Sequence, residues 1–300
     1  MLFDWIAFLI LFFVYLAFAA PPFVERLRAA ASTWPRRATI TASVLPLVTV
    51  VALPHLTTGD GEVLDDVLGM ALLVTVVMSL LRLRPSNAPP LHWTDLALVL
   101  VFWLPLEFFW MSDLRLHLLP EGRLRLSLLV AIDLALLVYL VLRPLPQVGY
   151  TFRLTAQDGR RILIALIAYG AVAIPLGSEM GFLAFSLAGG GLIDWLLRWP
   201  IIYFFTALPE ELLFRGLIQN QLQARLGNPQ AALGITAVIF GLAHLNNPLP
   251  GFAVPNWTYG LMAALAGIAY GWTWHRTHKI TASAIVHASV NFTWASFLSG

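Results

Sequence analysis

The stretch ALPEELLFRG, residues 207–216, sets two adjacent carboxylates and a guanidinium inside an otherwise apolar run. Glu211 and Arg215 stand four residues apart with the acid first, the favourable order for an ion pair on a helix. Glu210 is turned about 100° from Glu211 and has no basic partner at that spacing. Two acids divided in this way suit hydrolysis. One is neutralised by a cation, and the other is left as a general base able to take a proton from water. Further along, His244 closes FGLAH at 240–244, and HASVN at 287–291 puts His287 and Asn291 on one helix face.

Each group also has a plain structural reading. Two glutamates and an arginine commonly form a solvated helix face, and a lone histidine such as His244 is commonly a hydrogen-bonded packing residue. His287 with Asn291 could clamp two membrane helices together. What favours chemistry is that the three occur together, in apolar helices of one region. Ionisable groups at membrane depth are costly and mark functional sites.

The elements that must position them are membrane helices. Of 300 residues, 59% are hydrophobic and 11% charged, against about 25% charged in soluble domains. The mean hydropathy of +0.79 points the same way. A net charge of +2 is too small for a nucleic-acid partner. Cysteine is absent, which removes disulfides, thiolate ligands and a cysteine nucleophile. A spanning helix needs about 20 mostly apolar residues. Candidates lie at 4–21, 38–56, 67–82, 95–111, 124–142, 161–178, 200–226, 230–246, 257–275 and 280–298, three of them short. The expected fold is therefore all-α, a polytopic bundle of about eight to ten membrane helices. The N-terminus lacks a basic leader region and reads as a retained first helix.

Fourteen of the eighteen basic residues fall in the odd-numbered connections. These include Arg26, Arg28, Arg36 and Arg37, then Arg82 and Arg84, then Arg143, Arg153, Arg160 and Arg161, and later Arg276 and Lys279. The second connection, TTGDGEVLDD, is acidic. The positive-inside rule then places odd connections in the cytoplasm. A seventh helix starting at Pro200 would hold Glu210 and Glu211 about ten residues in, roughly 15 Å deep. From a turn at Asn228, Glu211 lies 17 residues back and His244 lies 16 ahead. An antiparallel hairpin brings those two to similar depth. His287 sits somewhat nearer the cytoplasmic turn RTHKI.

EELLFR at 210–215, FGLAH at 240–244 and HASVN at 287–291 together resemble the ordered signature of the CAAX protease and bacteriocin-processing family of intramembrane proteases, which includes the type II CAAX prenyl endopeptidases. GIAYGWTWHRTHKITASAIVHASVN, with Gly267 and Gly271, is similar to that family's last segment. The resemblance covers roughly 190–298, so the expected domains are 1–190, variable membrane helices, and 191–300, catalytic. It implies an intramembrane endopeptidase in which Glu210 and His244 activate a water for attack on a peptide carbonyl. Glu211, oriented by Arg215, supports that pair, and His287 and Asn291 stabilise the oxyanion. If a divalent metal such as zinc takes part, the resemblance implies His244, His287, Glu211 and Asn291 as its ligands; direct glutamate and histidine activation needs none. The implied partners are the bilayer and a membrane-associated protein or peptide. The composition points to a prokaryotic inner membrane and leaves the substrate unnamed. Two other readings stand beside this one. A proton-coupled transporter would use Glu107 and Asp133, and a non-catalytic immunity or scaffold protein would keep only the fold.

Overall fold

The computed structural model describes residues 2–33, 46, 49–50, 63–107, 115–117 and 123–298. The expected span at 38–56, with Arg36 and Arg37, and the acidic stretch 57–62 lie largely or wholly outside these. Packing divides the chain into two compact units, Met1–Pro146 and Gln147–Gly300. The division by motif extent at 190/191 differs, because the helix at 156–179 packs on the helices that carry His287, Gly267 and Gly271.

In the N-terminal unit, α1 (Leu2–Ala17) turns by 94° into α2 (Pro21–Thr33). Pro21 opens α2, where its missing N–H costs nothing. The first span, expected to run to residue 21, therefore ends at Ala17. α3 (Val63–Leu83) packs on α4 (Trp93–Glu107). A two-stranded antiparallel ladder of β1 (Arg115–His117) and β2 (Arg123–Arg125) interrupts the helical pattern. α5 (Leu126–Leu142) follows and packs on α1. Asp95, fully buried in the first turn of α4, accepts the His92 N–H at 3.1 Å. It pairs with Arg84 at 3.0 Å and with Arg143. Asp133 is buried in α5 with neither oxygen hydrogen-bonded among the described residues. Glu107 ends α4, and its side chain lies outside them.

The C-terminal unit holds α6 (Ala156–Glu179), α7 (192–226), α8 (Pro229–Ala243), α9 (Trp257–Thr277) and α10 (Ile280–Thr293). Thr155 and Asp158 cap α6 reciprocally. Asp158 also accepts Lys279 Nζ at 2.6 Å, and Arg161 donates to the Arg276 carbonyl at 2.6 Å. The fifth and ninth connections thus meet.

α7 starts eight residues earlier than the Pro200 expected to open it. Gly191 N–H donates to the Asp194 carboxylate at 2.8 Å and caps the helix there. Pro200 is an interior residue. Two stretches of α7 are widened to π geometry, Tyr203–Ala207 and Leu212–Gln219. Leu208 N–H bonds the Tyr203 carbonyl five residues back. Pro209, next in line, has no N–H to offer, so the ladder shifts register there.

Among the described residues, one helix, Ala156–Glu179, is long and apolar enough to cross a membrane, and the bent pair of α1 and α2 passes the same test jointly. Leu68–Leu83, Trp93–Leu104, Leu126–Leu142 and Pro229–Ala243 are apolar but shorter. α6 exposes Leu163, Ile167 and Val172, each more than half accessible, a surface that water disfavours and lipid accepts.

α8 and α9 approach closely through small residues. A Cβ on Gly241 would lie 2.5 Å from the Gly260 carbonyl oxygen and 2.8 Å from Ala264 Cβ. Gly241→Val is expected to lower stability by about 1–3 kcal/mol through overpacking. Thermal unfolding in detergent measures this, and an unchanged midpoint would show that the crossing can relax.

Candidate functional site

The site is built on α7. Glu211 and Arg215 are both fully buried, and Arg215 Nη1 donates to Glu211 Oε1 at 3.0 Å. Arg215 Nη2 donates across to the Gly267 carbonyl of α9 at 2.9 Å. One turn along, Gln219 Nε2 donates to the Gly271 carbonyl at 3.2 Å. Both bonds need glycine on α9. A Cβ on Gly271 would fall 2.7 Å from Gln219 Oε1, and one on Gly267 would press on Ala237 Cα at 3.1 Å. The guanidinium lies over Phe240 at 4.8 Å and Tyr270 at 5.3 Å from the ring centroids. Aromatic faces stabilise a desolvated cation in this way.

Glu211 is then shared with α10. His287 Nδ1 lies 2.9 Å from Glu211 Oε1, and Ser283 Oγ lies 2.5 Å from Oε2. Ser283 Oγ also stands 2.8 Å from the Tyr270 carbonyl, and its single proton serves one of the two acceptors. The hairpin count had set Glu211 level with His244. Its actual imidazole partner is His287, brought up by the approach of α10 to α7. The apparent depth gap between these two residues is closed.

The histidine tautomers follow from the partners. A carboxylate accepts, so His287 Nδ1 carries the proton and Nε2 turns towards Glu210, 3.9 Å from its Oε2. His244 caps the end of α8, with Nδ1 2.7 Å from the Phe240 carbonyl. A carbonyl also only accepts, which leaves the Nε2 lone pair of neutral His244 free. His287 stacks on Tyr270 at 4.4 Å, and His244 stacks on Tyr259 at 5.5 Å. Phe240 packs edge-on against His287 at 5.7 Å and tilted against His244 at 4.5 Å. One ring thus spaces both imidazoles and faces the cation. Glu210 is one-third exposed, yet its Oε2 is buried without a hydrogen-bond partner among the described residues.

His244, His287 and Asn291 line one cavity of about 320 Å³, whose other walls include Tyr259, Tyr270 and Trp294. Glu210, Glu211 and Arg215 are not among its lining residues. Ser283 and Tyr270 were not singled out from the sequence, and Phe240 entered it only as the first residue of FGLAH. Ser283 stands four residues before His287, as Phe240 does before His244, and that spacing was the available signal. Tyr270 is an apolar-run aromatic without one.

Among the described residues, no group of three or more His, Asp or Glu side chains gathers to hold a metal ion. Glu211, one of the four residues implied as ligands, has Oε1 engaged by Arg215 and His287 and Oε2 by Ser283. It does not fit the ligand set, and no step below is routed through a metal.

Residues 192–293 match the family model described as type II CAAX prenyl endopeptidase Rce1-like. The match opens with the first residue of α7 and closes with the last of α10. This part of the chain, about a third of the whole, is similar to that family. Comparison with curated proteins and with solved structures found no match.

Removing one partner of a buried ion pair leaves an uncompensated charge and costs about 3–5 kcal/mol. Arg215→Met is therefore expected to destabilise the protein by that amount. Glu211→Gln combined with Arg215→Met should recover part of the loss. Unfolding midpoints of the single and double variants check this. Equal midpoints for wild type and Arg215→Met would mean that the pair carries no structural weight.

Proposed function

We propose that the chain is a polytopic intramembrane endopeptidase that hydrolyses a peptide bond of a membrane-associated protein or peptide, in a prokaryotic inner membrane. The observation that carries this reading is the position of Glu210. Its unsatisfied Oε2 stands 3.9 Å from His287 Nε2, at the edge of a network in which every other charged group is already neutralised. That distance is too long for a direct hydrogen bond. It is short enough for both atoms to hold one water lying off the line between them.

In the proposed reaction, Glu210 takes a proton from that water, and the resulting hydroxide oxygen bonds to the scissile carbonyl carbon. The carbonyl π electrons move to oxygen. Asn291 stabilises the oxyanion through its side-chain amide N–H, and His287 contributes once its Nε2 is protonated. As the tetrahedral centre collapses, the C–N bond breaks and protonated Glu210 returns its proton to the leaving nitrogen. The water's second O–H is accepted by an imidazole Nε2, that of His287 or that of His244, beside Glu210. Glu211 stays ionised and fixes the His287 tautomer through Nδ1, a positioning role set by Arg215 and Ser283. The largely apolar, aromatic cavity favours a substrate segment delivered from lipid.

Glu210→Gln preserves shape and removes the base. Folding is expected to stay within about 0.5 kcal/mol of wild type, while turnover falls about 10²- to 10⁴-fold. Comparing membrane proteomes of wild-type and Glu210→Gln cells should reveal the uncut substrate accumulating in the variant. Identical proteomes, or unimpaired cleavage by Glu210→Gln of a substrate identified some other way, would end the assignment of Glu210 as base.

A further inference from the structure

A second cavity, of about 460 Å³, lies wholly within the N-terminal unit. Arg28 of α2, Arg82 and Arg84 at the end of α3, and Arg143 beyond α5 all line it, with Ser32 and Ser86 among its polar walls. These arginines come from the first, third and fifth connections, far apart in sequence. The fold gathers them at one place, on the side that arginine distribution assigns to the cytoplasm.

The simplest account of such arginines is that they cap helix C-termini. α2 ends at Thr33, α3 at Leu83 and α5 at Leu142, each worth about half a negative charge. Arg28 Nε does donate to the Leu140 carbonyl at 2.6 Å. Asp95 adds one full negative charge, buried beneath Arg84 and Arg143. Together these offset about two and a half of the four positive charges. Roughly one and a half remain, facing a space of the size that small-ligand pockets have, roughly 300–1,000 Å³. Capping alone leaves this surplus unexplained.

The four arginines divide by function. Arg84 is committed: besides Asp95 it donates to the carbonyls of Pro85, Ala88 and Pro89 at 3.2, 3.0 and 3.1 Å. Arg143 is anchored on the same carboxylate. Arg82 has no ion pair among the described residues and is exposed, and Arg28 uses Nε for the helix end and is likewise exposed. Guanidinium groups match the oxygens of phosphate in pairs and carry their charge at any cellular pH.

We propose that this cavity binds a phosphate group, with Arg28 and Arg82 as its direct contacts and with Arg84 and Arg143, fixed by Asp95, as the charged wall behind it. A phosphate carrying one to two negative charges closes the surplus. The same chemistry is offered by the headgroup of an anionic phospholipid in the cytoplasmic leaflet and by a soluble phosphate compound.

The test uses the full-length protein in detergent. Its unfolding midpoint is titrated with inorganic phosphate, with short-chain phosphatidylglycerol and with zwitterionic phosphatidylcholine. Wild type should be stabilised by phosphatidylglycerol well beyond phosphatidylcholine. Arg28→Gln and Arg82→Gln should each weaken that response about fivefold, while Arg225→Gln, an exposed change of equal charge in the other unit, leaves it intact. A response to phosphatidylglycerol but not to inorganic phosphate assigns the lipid source. A response to inorganic phosphate lost in the same variants assigns the soluble one. If a glutamine variant does not fold, Arg28→Lys and Arg82→Lys retain the charge and should bind within a few-fold of wild type. Equal responses to both lipids with none to phosphate would overturn the proposal. So would a doubly substituted Arg28→Gln, Arg82→Gln protein that folds and responds like wild type.

Discussion

The C-terminal unit is organised by one constraint, which is that Arg215 and Glu211 are both wholly out of contact with solvent. Two desolvated charges are tolerated when most of their donors and acceptors are met, and of the Arg215 nitrogens only Nε lacks a hydrogen-bond partner among the described residues. That requirement reaches into every neighbouring helix. α9 supplies the Gly267 carbonyl, α10 supplies His287 and Ser283, and Phe240 and Tyr270 supply aromatic faces from α8 and α9. The same contacts that neutralise the pair set the orientation of His287. Stability and site geometry are therefore one network, and a change behind the cavity wall alters the residues lining it.

The backbone of α7 is adapted to this role. A regular helix would repeat its side-chain directions every 3.6 residues. The widened turns on both sides of Leu208–Glu211 break that repeat around the two glutamates. Wide turns of this kind occur often at functional sites. Here Glu211 points into the network and Glu210 to its edge. Pro209 provides the local cause, since it leaves the preceding turn one donor short.

The N-terminal unit repeats the theme with different residues. Asp95 is as deeply buried as Glu211, and it too is met by guanidinium groups and a backbone N–H. Asp133 is the contrast, since no described residue reaches either oxygen.

The sequence by itself determined the local features. The helix ranges from α3 onward follow the apolar runs to within a few residues at most ends, and the pairing of Glu211 with Arg215 follows from i, i+4 geometry alone. Three ordered motifs were enough to indicate the family model that residues 192–293 match. Only the tertiary structure decided that Glu211 bonds His287 rather than standing opposite His244, and that Ser283, Phe240 and Tyr270 complete the site. It also decided that α7 begins at Leu192, through a cap donated by the Gly191 backbone, and that α6 packs with the motif helices. The physical reason is range. Periodicity and capping act within one or two turns of a helix, whereas a contact between α7 and α10 depends on the tilt and rotation of both. Those are fixed by close-packed surfaces, such as the Gly241 and Gly260 crossing, whose partners lie many residues away in the chain.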